Sequence, residues 1–170
     1  MKRRGFLIAG AVVILAMATA LAVTLWPSSG PSSDGPFGPS GPTTQGNCIP
    51  IPGRVITYGF EFVKNYSSSN ATIQGIGYVD PHGLQVLQAF TVPVHGYLYG
   101  GRTGYPPKWM LTEHTSVIRP GRSYNVIIVT RLTGREGHAD AVFVNYTENG
   151  AQYQLRTITS LEVKQQPGQC

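Results

Sequence analysis

Charge is scarce in this chain. Asp, Glu, Lys and Arg make up only 12% of its 170 residues, about half the usual ~25%. A coiled coil or helical bundle needs abundant Glu, Lys, Ala and Leu, so both are excluded. Cysteine is scarcer still: Cys48 and Cys170 are the only two. The inter-sheet cysteine pair of an antibody domain is therefore missing, and a sandwich built from this chain must rest on apolar packing. Catalytic signatures are lacking as well. There is no Gly-x-Ser-x-Gly elbow, no His-Glu-x-x-His or His-x-x-x-His spacing and no Ser-His-Gly-Cys segment,. Nor does a Cys…His…Met run of the blue-copper kind occur. The seven acidic residues after position 47 show no spacing that would pair two carboxylates,. Neither catalysis nor a cofactor is expected.

Two residue types are in excess. Gly (21) and Pro (13) form a fifth of the chain, against a typical ~12%. Full disorder is nevertheless excluded, because 41% of the residues are hydrophobic and 9 Tyr with 6 Phe need burial,. The net charge of +5 divides into +2 over residues 1–47 (Lys2, Arg3 and Arg4 against Asp34) and +3 over residues 48–170. The second group is scattered rather than clustered, so nucleic acid is not an expected partner.

The chain reads as four segments. Residues 1–5 form a basic tip. Residues 6–26, from Phe6 to Trp26, contain no charged side chain. As a helix these 21 residues would extend about 31 Å, the thickness of the bilayer's hydrocarbon core. Positive charge before the run and none directly after it places the N-terminus in the cytoplasm and the C-terminal part outside. The alternative is a cleaved signal peptide, with small-x-small sites ending at Ala20 and Ala22; the domain would then be secreted. Residues 27–47, rich in Pro, Gly and Ser, read as a disordered linker. Residues 48–170 form the extracellular domain. Cys48 and Cys170 bracket it, and an even count in an oxidising compartment predicts that they form a disulfide.

Alternating hydrophobicity and turn signals predict the strands of that domain. They are Val55–Asn65, Ala71–Val79, Leu84–Val92, Met110–Ile118, Ser123–Leu132, Ala139–Tyr146 and Ala151–Val163. In the first, Ile56, Tyr58, Phe60 and Phe62 are expected on one face, with Thr57 and Glu61 on the other. Gly75 and Gly77 suggest a bulge in the second. Pro120-Gly121 suits a type II turn, and Asn149-Gly150 a type I′ hairpin. About seven short strands without a helix predict an all-β, Ig-like antiparallel β-sandwich preceded by one transmembrane helix. A small barrel is the other architecture this pattern allows.

Tyr58-Gly-Phe-Glu-Phe-Val-Lys-Asn-Tyr-Ser67 resembles the second strand of many bacterial extracellular Ig-like domains. Arg119-Pro-Gly-Arg-Ser-Tyr-Asn-Val-Ile-Ile-Val129 is similar to their "PG, then strand" element. With the basic tip, single span, linker and terminal cysteine, the layout resembles that of uncharacterised membrane-anchored extracellular Ig-like domain proteins of high-GC Gram-positive bacteria. The resemblance is structural and brings no catalytic residue with it.

Binding chemistry concentrates in one loop. His95 to Trp109 gathers Tyr97, Tyr99, Tyr105 and Trp109 with Arg102 and Lys108 among Gly and Pro. Aromatic and Arg side chains on an irregular loop suit recognition of a protein or polysaccharide of the envelope. The alternative is that these aromatics fold inward and cap the sandwich. Among the histidines, His82, His114 and His138, with Asp80, Glu113 and Asp140 nearby in sequence, are the candidates for a copper or zinc site. Three functions follow: a binding or structural module at the cell envelope, held in the lipid bilayer by residues 6–26; a metal-handling protein; or a partner or inhibitor of an envelope enzyme. Three Asn-x-Ser/Thr triplets start at Asn65, Asn70 and Asn145 and read as turn and strand polar residues.

Overall fold

The computed structural model describes residues 35–37, 46–96, 98–157 and 159–165. All lie in the second of the chain's two units, Pro31–Cys170. The expected basic tip and membrane span, most of the linker, Tyr97 and Cys170 lie outside the described residues. Among the described residues no helix is long and apolar enough to cross a membrane.

The described chain is all-β and sandwich-like. Its strands are β1 (Asn47–Pro50), β2 (Val55–Lys64), β3 (Ala71–Val79), β4 (Leu84–Pro93), β5 (Gly100–Thr103), β6 (Val117–Ile118), β7 (Ser123–Leu132), β8 (Glu136–Ala139), β9 (Ala141–Glu148), β10 (Ala151–Arg156) and β11 (Leu161–Lys164). One short helix, α1 (Lys108–Glu113), precedes β6. Two four-stranded sheets, ordered β4-β7-β2-β5 and β10-β9-β3-β6, accompany a three-stranded sheet, β1-β11-β8. Every pairing is antiparallel except β1 with β11.

The main core draws on all three sheets. Ile56, Tyr58, Val126 and Ile128 come from the first, Tyr78, Val142, Val144 and Tyr146 from the second, and Ile49, Leu161 and Val163 from the third. The Tyr78 hydroxyl is buried there and bonds Thr130 Oγ1 at 2.9 Å. A second, smaller cluster of Phe90, Val92, Met110, Ile127 and Val129 lies apart from this core, with Tyr99 packed against it. Consecutive β7 residues thus alternate between two apolar environments, Val126 and Ile128 in one and Ile127 and Val129 in the other. This is why the strand is buried from Tyr124 through Thr130 instead of alternating with solvent.

Turn chemistry follows the sequence. Asn149 and Gly150 have φ of 48° and 80° and join β9 to β10 with Glu148 opposite Ala151, as a type I′ turn requires. At Pro120-Gly121, Gly121 has φ 68° and the Arg122 N–H donates to the Arg119 carbonyl at 3.2 Å, the type II pattern. Asn65 is fully buried beneath that turn. Its Nδ2 donates to the Ile118 and Ser69 carbonyls, and its Oδ1 accepts from the Ser67 N–H.

Four expectations are corrected. The strand count is eleven among the described residues rather than about seven, because five strands have four residues or fewer, too few for a repeat of two to register. Met110–Ile118 is not one strand: α1 takes Met110 to Glu113, and only Val117–Ile118 is extended. In β2 the register shifts between Tyr58 and Glu61. Ile56 and Tyr58 are buried as expected, but Phe60 and Phe62 are each 36% exposed while Glu61 and Val63 are buried. A bulge inserts one residue, so every side chain beyond it changes face. Finally, Phe37, inside the stretch read as linker, is 2% exposed. Its ring stacks on Tyr146 with centroids 3.9 Å apart, and the neighbouring Pro36 carbonyl accepts from the Tyr66 N–H at 3.0 Å.

Candidate functional site

The predicted loop lies against the smaller apolar cluster. Gly59 makes this approach feasible: a Cβ there would stand 2.8 Å from Ile127 and 3.0 Å from Tyr99. After Gly100, with φ 77°, the chain returns as β5 along β2. Thr57 Oγ1 donates to the Gly104 carbonyl at 2.8 Å, fixing the loop's far end. Pro106-Pro107 then starts α1, whose Met110 is fully buried. Six residues with one buried position carry no readable helical period.

The loop residues divide between the two readings made from sequence. Tyr99 folds inward onto the cluster, and its hydroxyl accepts from Arg102 Nη1 at 3.3 Å. Arg102 and Lys108 are exposed. Tyr105 is 60% exposed and Trp109 41%, with Leu98 and Leu111 exposed near them in sequence. His95 Nε2 meets Glu113 Oε2 at 2.9 Å, joining the loop's start to the end of α1.

Under this surface is a cavity of about 30 Å³ lined by Pro93, His95, Tyr99, Trp109, Met110 and Asn125. Asn125 projects from β7 and is 4% exposed. Its Oδ1 is buried and accepts no hydrogen bond among the described residues. A buried acceptor without a donor costs about 1–3 kcal/mol. The sequence alone does not single out Asn125. The signal is an amide within Tyr124-Asn-Val-Ile-Ile-Val129, a run buried along its whole length.

The histidines do not converge. His82 and His138 are partners in a β-bridge, each N–H donating to the other's carbonyl at 2.8 Å. His138 Nε2 also meets Asp140 Oδ1 at 2.9 Å. His114 is elsewhere, with Nδ1 2.6 Å from the Leu111 carbonyl and its ring edge-on to Phe90. Among the described residues, no group of three or more His, Cys, Asp or Glu side chains is placed to hold a metal. Cys48 lies on β1 opposite Glu162, and no described cysteine is free.

No protein family matches the chain, and no curated protein does. Among solved structures it is similar to the VesB protease of Vibrio cholerae, at 12% identity and a TM-score of 0.40 over 71% of this chain and 30% of that one. It is also similar to the ASH/PapD-like domain 7 of human CEP192, at 13% identity and a TM-score of 0.40, over 80% of this chain and 91% of that domain. The chain thus spans less than a third of the protease's length. Likeness at this level places it in no family.

Proposed function

We propose that this protein is a membrane-anchored extracytoplasmic Ig-like module that binds a component of the cell envelope through the His95–Trp109 loop and α1. No catalytic role is assigned to it. The observation that carries this reading is the buried, donor-free Asn125 oxygen at a cavity walled by Tyr99 and Trp109, beside exposed Tyr105. Anchoring rests on the basic tip and the uncharged run 6–26,. The Ig-like assignment is supported by strand order: β4-β7-β2 and β10-β9-β3 follow the D-E-B and G-F-C orders of that fold, with β5 and β6 as additional edges. Pairing of Cys48 with Cys170 belongs to the same reading. The test is binding of the full-length protein to envelope fractions, with Tyr99, Arg102 and Trp109 changed together to Ala. Loss of binding is expected; unchanged binding removes the loop as the site.

A second reading, metal handling, has the His82–His138 bridge in its favour. Directly bridged residues project to the same side of a sheet. Titration with copper and zinc tests it, and the absence of binding tighter than about 10 µM ends it.

A further inference from the structure

The cavity at Asn125 adjoins a larger feature. Pro93 and His95 also line an open groove of about 530 Å³ that runs to the β6–β7 turn, where Arg119, Arg122, Ser123 and Tyr124 complete its wall. Arg119 and Arg122 stand at the two ends of the type II turn and are exposed. The turn is held from beneath: the Gly121 N–H donates to the Asn65 carbonyl at 2.7 Å, and the Asn65 N–H to the Arg122 carbonyl at 3.2 Å. Among the described residues neither guanidinium has an ion-pair partner. No acidic residue is among those lining the groove, and Glu113 is engaged by His95.

We propose that groove and cavity together form one site for an acidic carbohydrate. Each part selects one feature of the ligand. A guanidinium is planar and matches a carboxylate or phosphate with two parallel hydrogen bonds, and a turn pinned by Asn65 presents two of them. The partly exposed Trp109 ring offers an apolar face to a sugar ring. The cavity of about 30 Å³ admits a single hydroxyl-sized group and no ring. Asn125 Oδ1 is an acceptor, so that group must donate. A sugar hydroxyl meets these requirements while its ring stays outside against Trp109 and its acid group lies along the groove. A neutral glycan would leave both guanidinia unused. An aliphatic acid would leave Asn125 without a donor.

This inference rests on the loop being the binding face, and it adds the ligand's class. Its test is calorimetric titration of the full-length protein with three probes: an oligogalacturonide, a sugar-phosphate oligomer and a neutral galactose oligomer. Binding of at least one acidic probe is expected, roughly tenfold or more tighter than the neutral one and weakened by added salt. The first two probes distinguish carboxylate from phosphate as the acid group. Changing Arg119 and Arg122, both exposed, to Ala should abolish the preference for acid. W109A should weaken all three probes. Equal affinity for acidic and neutral probes, or an arginine double variant that retains the preference, overturns the inference. If the variant of Tyr99, Arg102 and Trp109 still loses envelope binding, the loop then stands as the binding face without the acidic ligand. Failure of every probe to bind also overturns the inference.

Discussion

Glu61 shows how one inserted residue changes a side chain's chemistry. The bulge in β2 turns it inward, where it is 5% exposed. Burial raises its pKa above the ordinary 4.5, opposed by hydrogen bonds from Thr159 and the Tyr58 hydroxyl. Burial, and then the Glu61 charge, raise the Tyr58 hydroxyl as well. Below the unfolded pKa both states hold the carboxyl proton and burial has no ionic cost. As pH rises through that value the unfolded chain ionises first, and stability falls until the native carboxyl has ionised too. Urea melts at roughly pH 4 and 7 should therefore show wild type losing stability across this range, and Glu61→Gln losing less. Asn125 leads to a second prediction. Replacing it with Leu removes an acceptor that no described residue satisfies, and should raise stability by about 1 kcal/mol while weakening envelope binding. A thermal melt that falls instead would mean that Asn125 has a structural role.

At the scale of elements, the long strands were legible and the short ones were not. β2, β3, β4, β7, β9 and β10 each have six residues or more, enough to show alternation, and all but β10 were expected within a few residues of their ends. The single strand expected over Ala151–Val163 is instead two, β10 and β11, which pair in different sheets. The Asn149-Gly150 hairpin was equally legible, because positive φ at two successive residues demands those side chains. A Cβ on Gly150 would meet nothing within 4 Å, so Gly150→Ala should cost only the conformational penalty, about 1 kcal/mol. A chemical denaturation midpoint measures it. Phe60, Phe62 and Glu61 were placed on the wrong faces because a bulge leaves no mark on a period of two until the partner strand is known. In the site, Tyr99, Arg102, Tyr105, Lys108 and Trp109 stood out by type, since aromatics and cations clustered in a Gly-rich stretch are visible in one dimension. Arg119, Arg122 and Asn125 did not, because they come from another turn and strand that reach the loop only through folding.

For the whole molecule, the core includes a residue from outside the expected bounds of the domain. Phe37 closes one part of the core on Tyr146, whose hydroxyl burial pushes up to about 12 and which lies 5.3 Å from the Tyr153 ring. Phe37→Ala should destabilise the domain by about 3 kcal/mol, lowering the thermal midpoint by on the order of 10 °C. A surface residue of a flexible linker would show no change. For the cysteines, intact mass of the non-reduced protein should show a monomer lacking two hydrogens. Reduction should then cost about 2–4 kcal/mol without preventing folding, since the apolar core remains. A disulfide-linked dimer would reject pairing within one chain.

The sequence by itself determined the all-β class, five of the six long strands with the start of the sixth, and the two tight turns. These depend on local quantities: alternation along a strand and the sign of φ at Gly and Asn. It also marked the uncharged N-terminal run and the aromatic loop by composition. Tertiary structure alone decided which face Glu61 occupies, that Phe37 belongs to the core, and that Asn125 ends in a cavity without a donor. It also decided that His82 and His138 are partners in a β-bridge while His114 lies elsewhere. Each of these depends on which distant segment pairs with which, and neither a hydropathy pattern nor a residue spacing carries that information.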